Sequence, residues 1–171
     1  MARILPIPSV SQTFPTMAKQ SAGILPYRHV QGRIEVFLVH PGGPLWATRD
    51  AGAWSIPKGL FGDDEDPPAA AKREFREETG FEPAGEMIPL EPVRQPGGKL
   101  VHAWAMEGDF DPAQLRSNTF SMEWPRGSGQ QREFPEVDRG AWFTVEEAAG
   151  KILSGQAPFL TQLLERLRRA K

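Results

Sequence analysis

A mixed β-sheet flanked by helices, an α+β arrangement, is the fold class that this sequence predicts. Three observations carry the prediction. Near the start, residues 21–28 and 33–40 read as strands, the second with Ile34, Val36 and Leu38 alternating against Arg33, Glu35 and Phe37. Further on, Asp66-Pro67 opens a helix that Gly80 closes. Strand and helix patterns then follow one another without the strict alternation of a doubly wound sheet.

Each element has its own local reason. His29 to Gly32 provides a turn between the first two strands. Residues 41–52 hold too many prolines and glycines for regular structure and read as a loop. Residues 86–95 and 99–107 look like a strand pair around Pro96-Gly97-Gly98, and residues 118–124 add a further strand. Residues 126–134 are polar and contain glycine, so they read as a loop. Residues 138–143 form a strand. A short helix over 144–153 begins with Thr144 and Glu147 in a capping-box pattern. The last helix, 158–169, places Phe159, Leu160, Leu163, Leu164 and Leu167 on one face.

Composition bounds the function classes. The 171 residues suit one compact domain with a core of its own. Without cysteine, disulfides, thiolate metal sites and a cysteine nucleophile are excluded, and a reducing cytoplasm is the expected compartment. The net charge of −2 points to neither DNA nor an acidic membrane surface. No apolar run approaches the roughly 18 residues of a membrane span. Pro6, Pro8 and Pro15 interrupt the first residues, so 1–16 read as an extended tail and 17–171 as the domain. Nothing in the sequence bears on oligomeric state.

The chemistry concentrates on the helix that Asp66-Pro67 opens. With Phe75 facing the core and 100° per residue, Ala71 and Thr79 fall within about 40° of it. Glu78, Glu74 and Glu77 then lie roughly 60° to 160° away, all on one side. Glu74 and Glu78 form an i,i+4 like-charge pair that costs a few tenths of a kcal/mol in a bare helix, which Arg73 offsets in part through Glu77. A solvated charged face is the plain alternative. Carboxylates so crowded call for a cation, and hard oxygen donors suit Mg²⁺ or Mn²⁺ rather than zinc.

The residues before this helix decide between the two. Gly59, Glu65, Arg73-Glu74-Phe75, Glu77-Glu78 and Gly80-Phe81 stand at the spacing G-x5-E-x7-R-E-U-x-E-E-x-G-U, where U is apolar. Every fixed position of the Nudix box is matched, and the chain resembles the Nudix hydrolase superfamily over that box, with weaker likeness from residue 21 to the last helix. The resemblance implies an α/β/α sandwich and hydrolysis of a nucleoside diphosphate linked to another moiety. It implies Glu74, Glu77, Glu78 and the Gly59 carbonyl as metal ligands, with Glu77 and Glu78 also as candidates for activating water. It implies that Glu65 pairs with Arg73 as structural support of the box. The chemistry agrees: a divalent cation neutralises a polyphosphate and acidifies a water, and a carboxylate takes the proton.

Outside the box the candidates are fewer. Nudix enzymes often use a loop acid, and Glu136 is preferred over Glu123 and Glu133 because it precedes the Ala141-Trp142-Phe143 strand. Lys58 and Arg28 are candidate phosphate contacts, each equally readable as a surface cation. Trp46 and Trp54 read as core residues before base-stacking ones, and His102 as a packed or exposed side chain. Arg166 to Lys171 decorate the last helix and complement its dipole.

Branch markers within the superfamily point several ways. Trp54-Ser55-Ile56-Pro57-Lys58-Gly59 is similar to the dinucleoside polyphosphate and diphosphoinositol polyphosphate branches, yet the tyrosine usual after the box in dinucleoside enzymes is missing. Pro96, fifteen residues past Phe81, is similar to the ADP-sugar branch. The Ser-Gln-Pro signature of NADH pyrophosphatases is missing. The implied partner is therefore a small phosphorylated substrate, a nucleotide derivative. The alternatives are a diphosphoinositol polyphosphate, an RNA 5′ end, against which the lack of basic excess weighs, and a ligand sensor without turnover, against which the intact box weighs.

Overall fold

In the computed structural model, residues 18–171 are described, and the tail expected over residues 1–16 lies outside them. Strand β1 (Gln20–Val30) turns through Gln31-Gly32 into β2 (Arg33–Pro41). Both turn residues have positive φ, 48° and 76°, the backbone of a tight hairpin whose twist matches its strands. β3 (Lys58–Leu60) pairs antiparallel with the start of β1, and β6 (Leu100–Glu107) pairs parallel along most of it. β9 (Val137–Thr144) pairs antiparallel with β2. The short β4 (Ile88–Pro89) and β5 (Val93–Arg94) both pair with β6, completing seven strands.

Helices cover both faces of this sheet, as expected of an α/β/α sandwich. Ala22, Ile24 and Met106 meet α1 (Pro67–Thr79) through Ala70, Ala71 and Phe75. Leu25, Val36, Leu38 and Val101 face the other way, onto α2 (Val145–Lys151) and α3 (Pro158–Arg169) through Ala148, Phe159, Leu160 and Leu163. Because β1 is covered on both faces, every residue from Ser21 to Tyr27 is buried. The expected alternation in β2 fails at Phe37, which is fully buried. Its ring meets Phe81, Phe110 and Trp142 edge-on, so the supposed polar face carries an aromatic cluster.

The structure corrects the sequence reading in three places. The strand expected over 86–95 is two fragments, since Pro89 and Pro92 have no backbone N–H to donate to a ladder. The loop expected over 126–134 contains β8 (Gln131–Pro135), which pairs with β7 (Thr119–Glu123) in a separate two-stranded hairpin. Gln131, Arg132 and Glu133 are all exposed, so β8 lacks the apolar alternation that marks a half-buried strand. β3 was not expected at all, being three residues long and read only as the start of a motif. No helix among the described residues is long and apolar enough to cross a membrane.

Phe75 is the largest side chain that α1 buries, and its ring centroid lies 5.5 Å from that of Phe110. Phe75→Ala should destabilise the chain by about 3–5 kcal/mol in urea titration. A loss below about 1 kcal/mol would mean that α1 contributes little to holding the sheet.

Candidate active site

Helix α1 is placed by its own caps. The Asp66 carboxylate accepts from the Ala69 N–H at 3.3 Å, and Pro67 needs no donor at the first turn. At the other end Gly80 takes φ 75° and donates to the Arg76 carbonyl. Phe75, Ala71 and Thr79 form the buried stripe, and Thr79 donates its hydroxyl to the Phe75 carbonyl at 2.6 Å. Ala70 and Glu74 are buried beside them, because β3 packs on that side of the helix.

Arg73 ties the helix to the chain before it. Its Nε and Nη2 donate to the two Glu65 oxygens at 2.7 and 3.0 Å, and Nη2 also reaches the Leu60 carbonyl at 3.3 Å. Nη1 donates to Glu74 at 2.7 Å and to Glu77 at 3.2 Å. One guanidinium thus serves three carboxylates. Glu78 turns the other way and accepts from the Lys58 backbone N–H at 3.0 Å.

Gly59 lies directly against this cluster, since a Cβ built there would overlap the Glu74 carboxyl group. Burial raises the Glu74 carboxyl above its ordinary range, with Arg73 opposing. Burial also pushes Glu78 up, against the pull of the Lys58 charge and N–H. Loss of solvent lowers Lys58, helped by the Lys99 charge. A cavity of about 200 Å³ is lined by Lys58, Ser55, Glu78, Trp46 and Glu136. Glu136 sits between β8 and β9, where its N–H donates to the Asn118 carbonyl at 2.8 Å and its own carbonyl accepts from Gly42 at 2.9 Å. Partial burial, then the Glu77 charge, raises its carboxyl.

The structure therefore brings Gly59, Glu74, Glu77, Glu78, Lys58 and Glu136 to one region, with Glu65 and Arg73 behind them. It does not bring Arg28 there. Arg28 lies near the far end of β1, bonded to Glu35 and Asp109 with its guanidinium 4.3 Å from the Trp142 ring centroid. Glu123 and Glu133 bond within the hairpin, to the Gly129 N–H and the Thr119 hydroxyl. Trp54 is core, donating to Asp50 at 2.8 Å, whereas Trp46 lines the cavity. His102 meets Gln20 at 2.8 Å. Ser55, within the Trp54–Gly59 segment, also walls the cavity, as do Val39 and Leu153, which nothing in the sequence singled out.

Among the described residues no three His, Asp or Glu side chains converge tightly enough to clasp an ion. Three carboxylates on adjacent turns beside a glycine backbone are nonetheless the oxygen donors that a hard divalent cation takes. The donor set fits a hard divalent cation.

A profile of the NUDIX domain matches residues 18–163. The CMP-5'-(N-acetyl-N-hydroxy-3-aminopropyl)phosphonate hydrolase of Streptomyces rubellomurinus is 28% identical over 109 residues, 63% of this chain and 45% of that protein. The match thus spans less than half the length of that relative. A C. elegans Ap4A hydrolase in a binary complex superposes with TM-score 0.61 at 21% identity, over 87% of this chain and 98% of that one. The NUDIX domain of Shewanella oneidensis NrtR, complexed with ADP ribose, superposes with TM-score 0.62 at 15% identity, over 89% and 90%. At these identities the two superpositions speak for the fold.

The three atoms nearest to a methyl at residue 59 all belong to the Glu74 carboxyl group. Gly59→Ala should cost about 1–3 kcal/mol in urea titration, and adding Glu74→Ala should recover part of that loss. No recovery would mean that the methyl strikes the backbone instead.

Proposed function

Because this chain belongs to the NUDIX domain family, we propose that it hydrolyses a phosphoanhydride bond in a nucleoside diphosphate linked to a second group, with water as the nucleophile. The observation that carries the reading is the complete box folded so that Glu74, Glu77 and Glu78 leave one sector of α1 beside Gly59, with Glu78 lining a cavity shared with Lys58 and Glu136. The relatives' names support a nucleotide end: a CMP-linked phosphonate, Ap4A and ADP ribose.

Each residue has a part in this proposal. Glu74, Glu77, Glu78 and the Gly59 carbonyl would hold Mg²⁺, with Mn²⁺ as a substitute. The cation supplies positive charge to the phosphoryl oxygens and acidifies a water. Lys58 meets the phosphate chain as a point charge at the cavity wall. Glu136 and Glu78, which line the same cavity, are the candidates to take the water's proton, and a carboxyl raised by burial is the better acceptor while it stays ionised. Glu77 is the third, nearest Arg73. The water oxygen bonds to phosphorus, the bridging P–O bond breaks, and the departing phosphate carries the electron pair. Arg73 and Glu65 hold the loop to the helix and touch no substrate. Arg28, engaged by two carboxylates elsewhere, is left out of substrate binding. The setting we propose is the cytoplasm, in keeping with a chain free of cysteine.

A panel of dinucleoside polyphosphates, ADP-ribose, nucleoside triphosphates, inositol pyrophosphates and triphosphorylated RNA, each with Mg²⁺ and Mn²⁺, tests the reading. Turnover should appear on a nucleotide and vanish with a chelator. Glu74→Gln and Glu78→Gln should each lower it by orders of magnitude. Mg²⁺ should raise the melting temperature of the parent chain and do so much less in these variants. Full activity in either variant, or turnover that survives chelation, would sink the proposal.

Glu65→Gln separates support from chemistry. It should lower the melting temperature and weaken turnover moderately, while Mg²⁺ still raises the melting temperature. Loss of the Mg²⁺ response as complete as in Glu78→Gln would move Glu65 into the metal site.

A further inference from the structure

We propose that the trough between the 41–46 loop and the β7–β8 hairpin receives the nucleobase of the substrate, stacked on Phe120. The inference rests on the proposed hydrolysis for the position of the phosphates and names what lies at the substrate's other end. The trough has a volume of about 330 Å³ and continues from the cavity at Lys58 and Glu78, with Pro41, Trp46 and Glu136 common to both. The first chamber carries Lys58, Glu78 and Glu136 among otherwise mostly apolar walls. In the second, Glu136 at the junction is the one ionisable side chain among the described residues, and the walls are Leu45, Trp46, Phe120, Met122 and prolines. A chamber with a cation and two carboxylates opening into an apolar, aromatic one has the polarity of a phosphate chain joined to a flat ring.

The trough is built rather than incidental. Gly42 packs so closely on the hairpin that a Cβ there would overlap the Pro135 carbonyl. Gly43 takes φ 91°, and its Cβ would stand 3.0 Å from the Phe120 ring. Larger residues at either position would push the loop off the ring. Phe120 is backed by its cross-strand partner Phe134, with centroids 6.1 Å apart, so its ring is held before a ligand arrives. Leu45 remains 44% exposed at the rim, an apolar surface that a ligand would cover. The chemistry also discriminates. A base offers a π-face to an aromatic ring, and stacking tolerates any base. A second cluster of phosphates, as on an inositol ring, would find no cation among the described residues of these walls and would meet the Glu136 carboxylate.

Calorimetric titration of the full chain with AMP, CMP and ribose 5-phosphate in the presence of Mg²⁺ tests this without turnover. At least one nucleotide should bind about tenfold or more tightly than ribose 5-phosphate. Phe120→Ala should weaken that nucleotide by about fivefold or more, the low end for loss of a stacking partner. It should leave ribose 5-phosphate unchanged, and Phe120→Tyr should retain the preference. Equal binding of the nucleotides and ribose 5-phosphate would overturn the proposal, as would Phe120→Ala weakening all three alike or neither nucleotide. Failure of the hydrolysis reading looks different: no turnover on any substrate, with the Phe120-dependent preference intact.

Discussion

Everything at the site depends on how one guanidinium divides its hydrogens. Arg73 faces Glu65 with a two-bond fork and turns Nη1 to Glu74 and Glu77. The fork fixes the loop before α1 against the helix, and the loop continues from β3, which is zipped to the start of β1. A lysine could not replace it, because a single ammonium cannot present a planar pair of donors and a third outward one. The contact is also half-exposed, with the Arg73 side chain at 37%, so it acts through geometry more than through Coulomb energy.

The sheet supplies the opposing constraint. β1 is buried on both faces, and Phe75, Ala70 and Ala71 of α1 lock onto Ala22 and Ile24. That packing leaves one edge of the helix facing β3, and the edge carries Glu74 and Glu78. Putting carboxylates where solvent is scarce raises both of them, an unfavourable arrangement for a merely structural helix. Local stability has been traded for a concentration of charge beside a cavity.

Much of this was legible in the sequence, for reasons that are local. Asp66-Pro67 and Gly80 state where a helix begins and ends, and the 3.6-residue period aligns Ala71, Phe75 and Thr79. The fixed box spacing carries the Arg73–Glu65 pairing, eight residues apart. What was not legible depends on partners distant in the chain. Phe37 sits at a position where period two predicts solvent, and its cover comes from Phe81, Phe110 and Trp142. β8 is a strand because β7 lies beside it, not because of its own composition. Arg28 reads equally as a phosphate contact or a surface cation, and the partner of its Nη1, Asp109, stands 81 residues away. The contact between Gly43 and Phe120 has no sequence signature, because it joins two loops of unrelated composition.

The parallel pairing of β1 with β6 also orders events in time. The β1–β2 hairpin closes over a two-residue turn and can form within microseconds. The central strand cannot gain its other neighbour until the chain has extended through Leu100–Glu107, some eighty residues later. The carboxylate helix lies inside that interval, as part of the crossover joining the two strands. On a ribosome, therefore, α1 emerges after Ala22 and Ile24 of β1 but before Met106, which completes the surface under its apolar stripe. A nascent chain halted before Met106 would leave Phe75 without its cover from Met106 and Phe110. Contacts of such long sequence separation slow folding, because closing a longer loop costs more chain entropy, a cost that grows with the logarithm of its length.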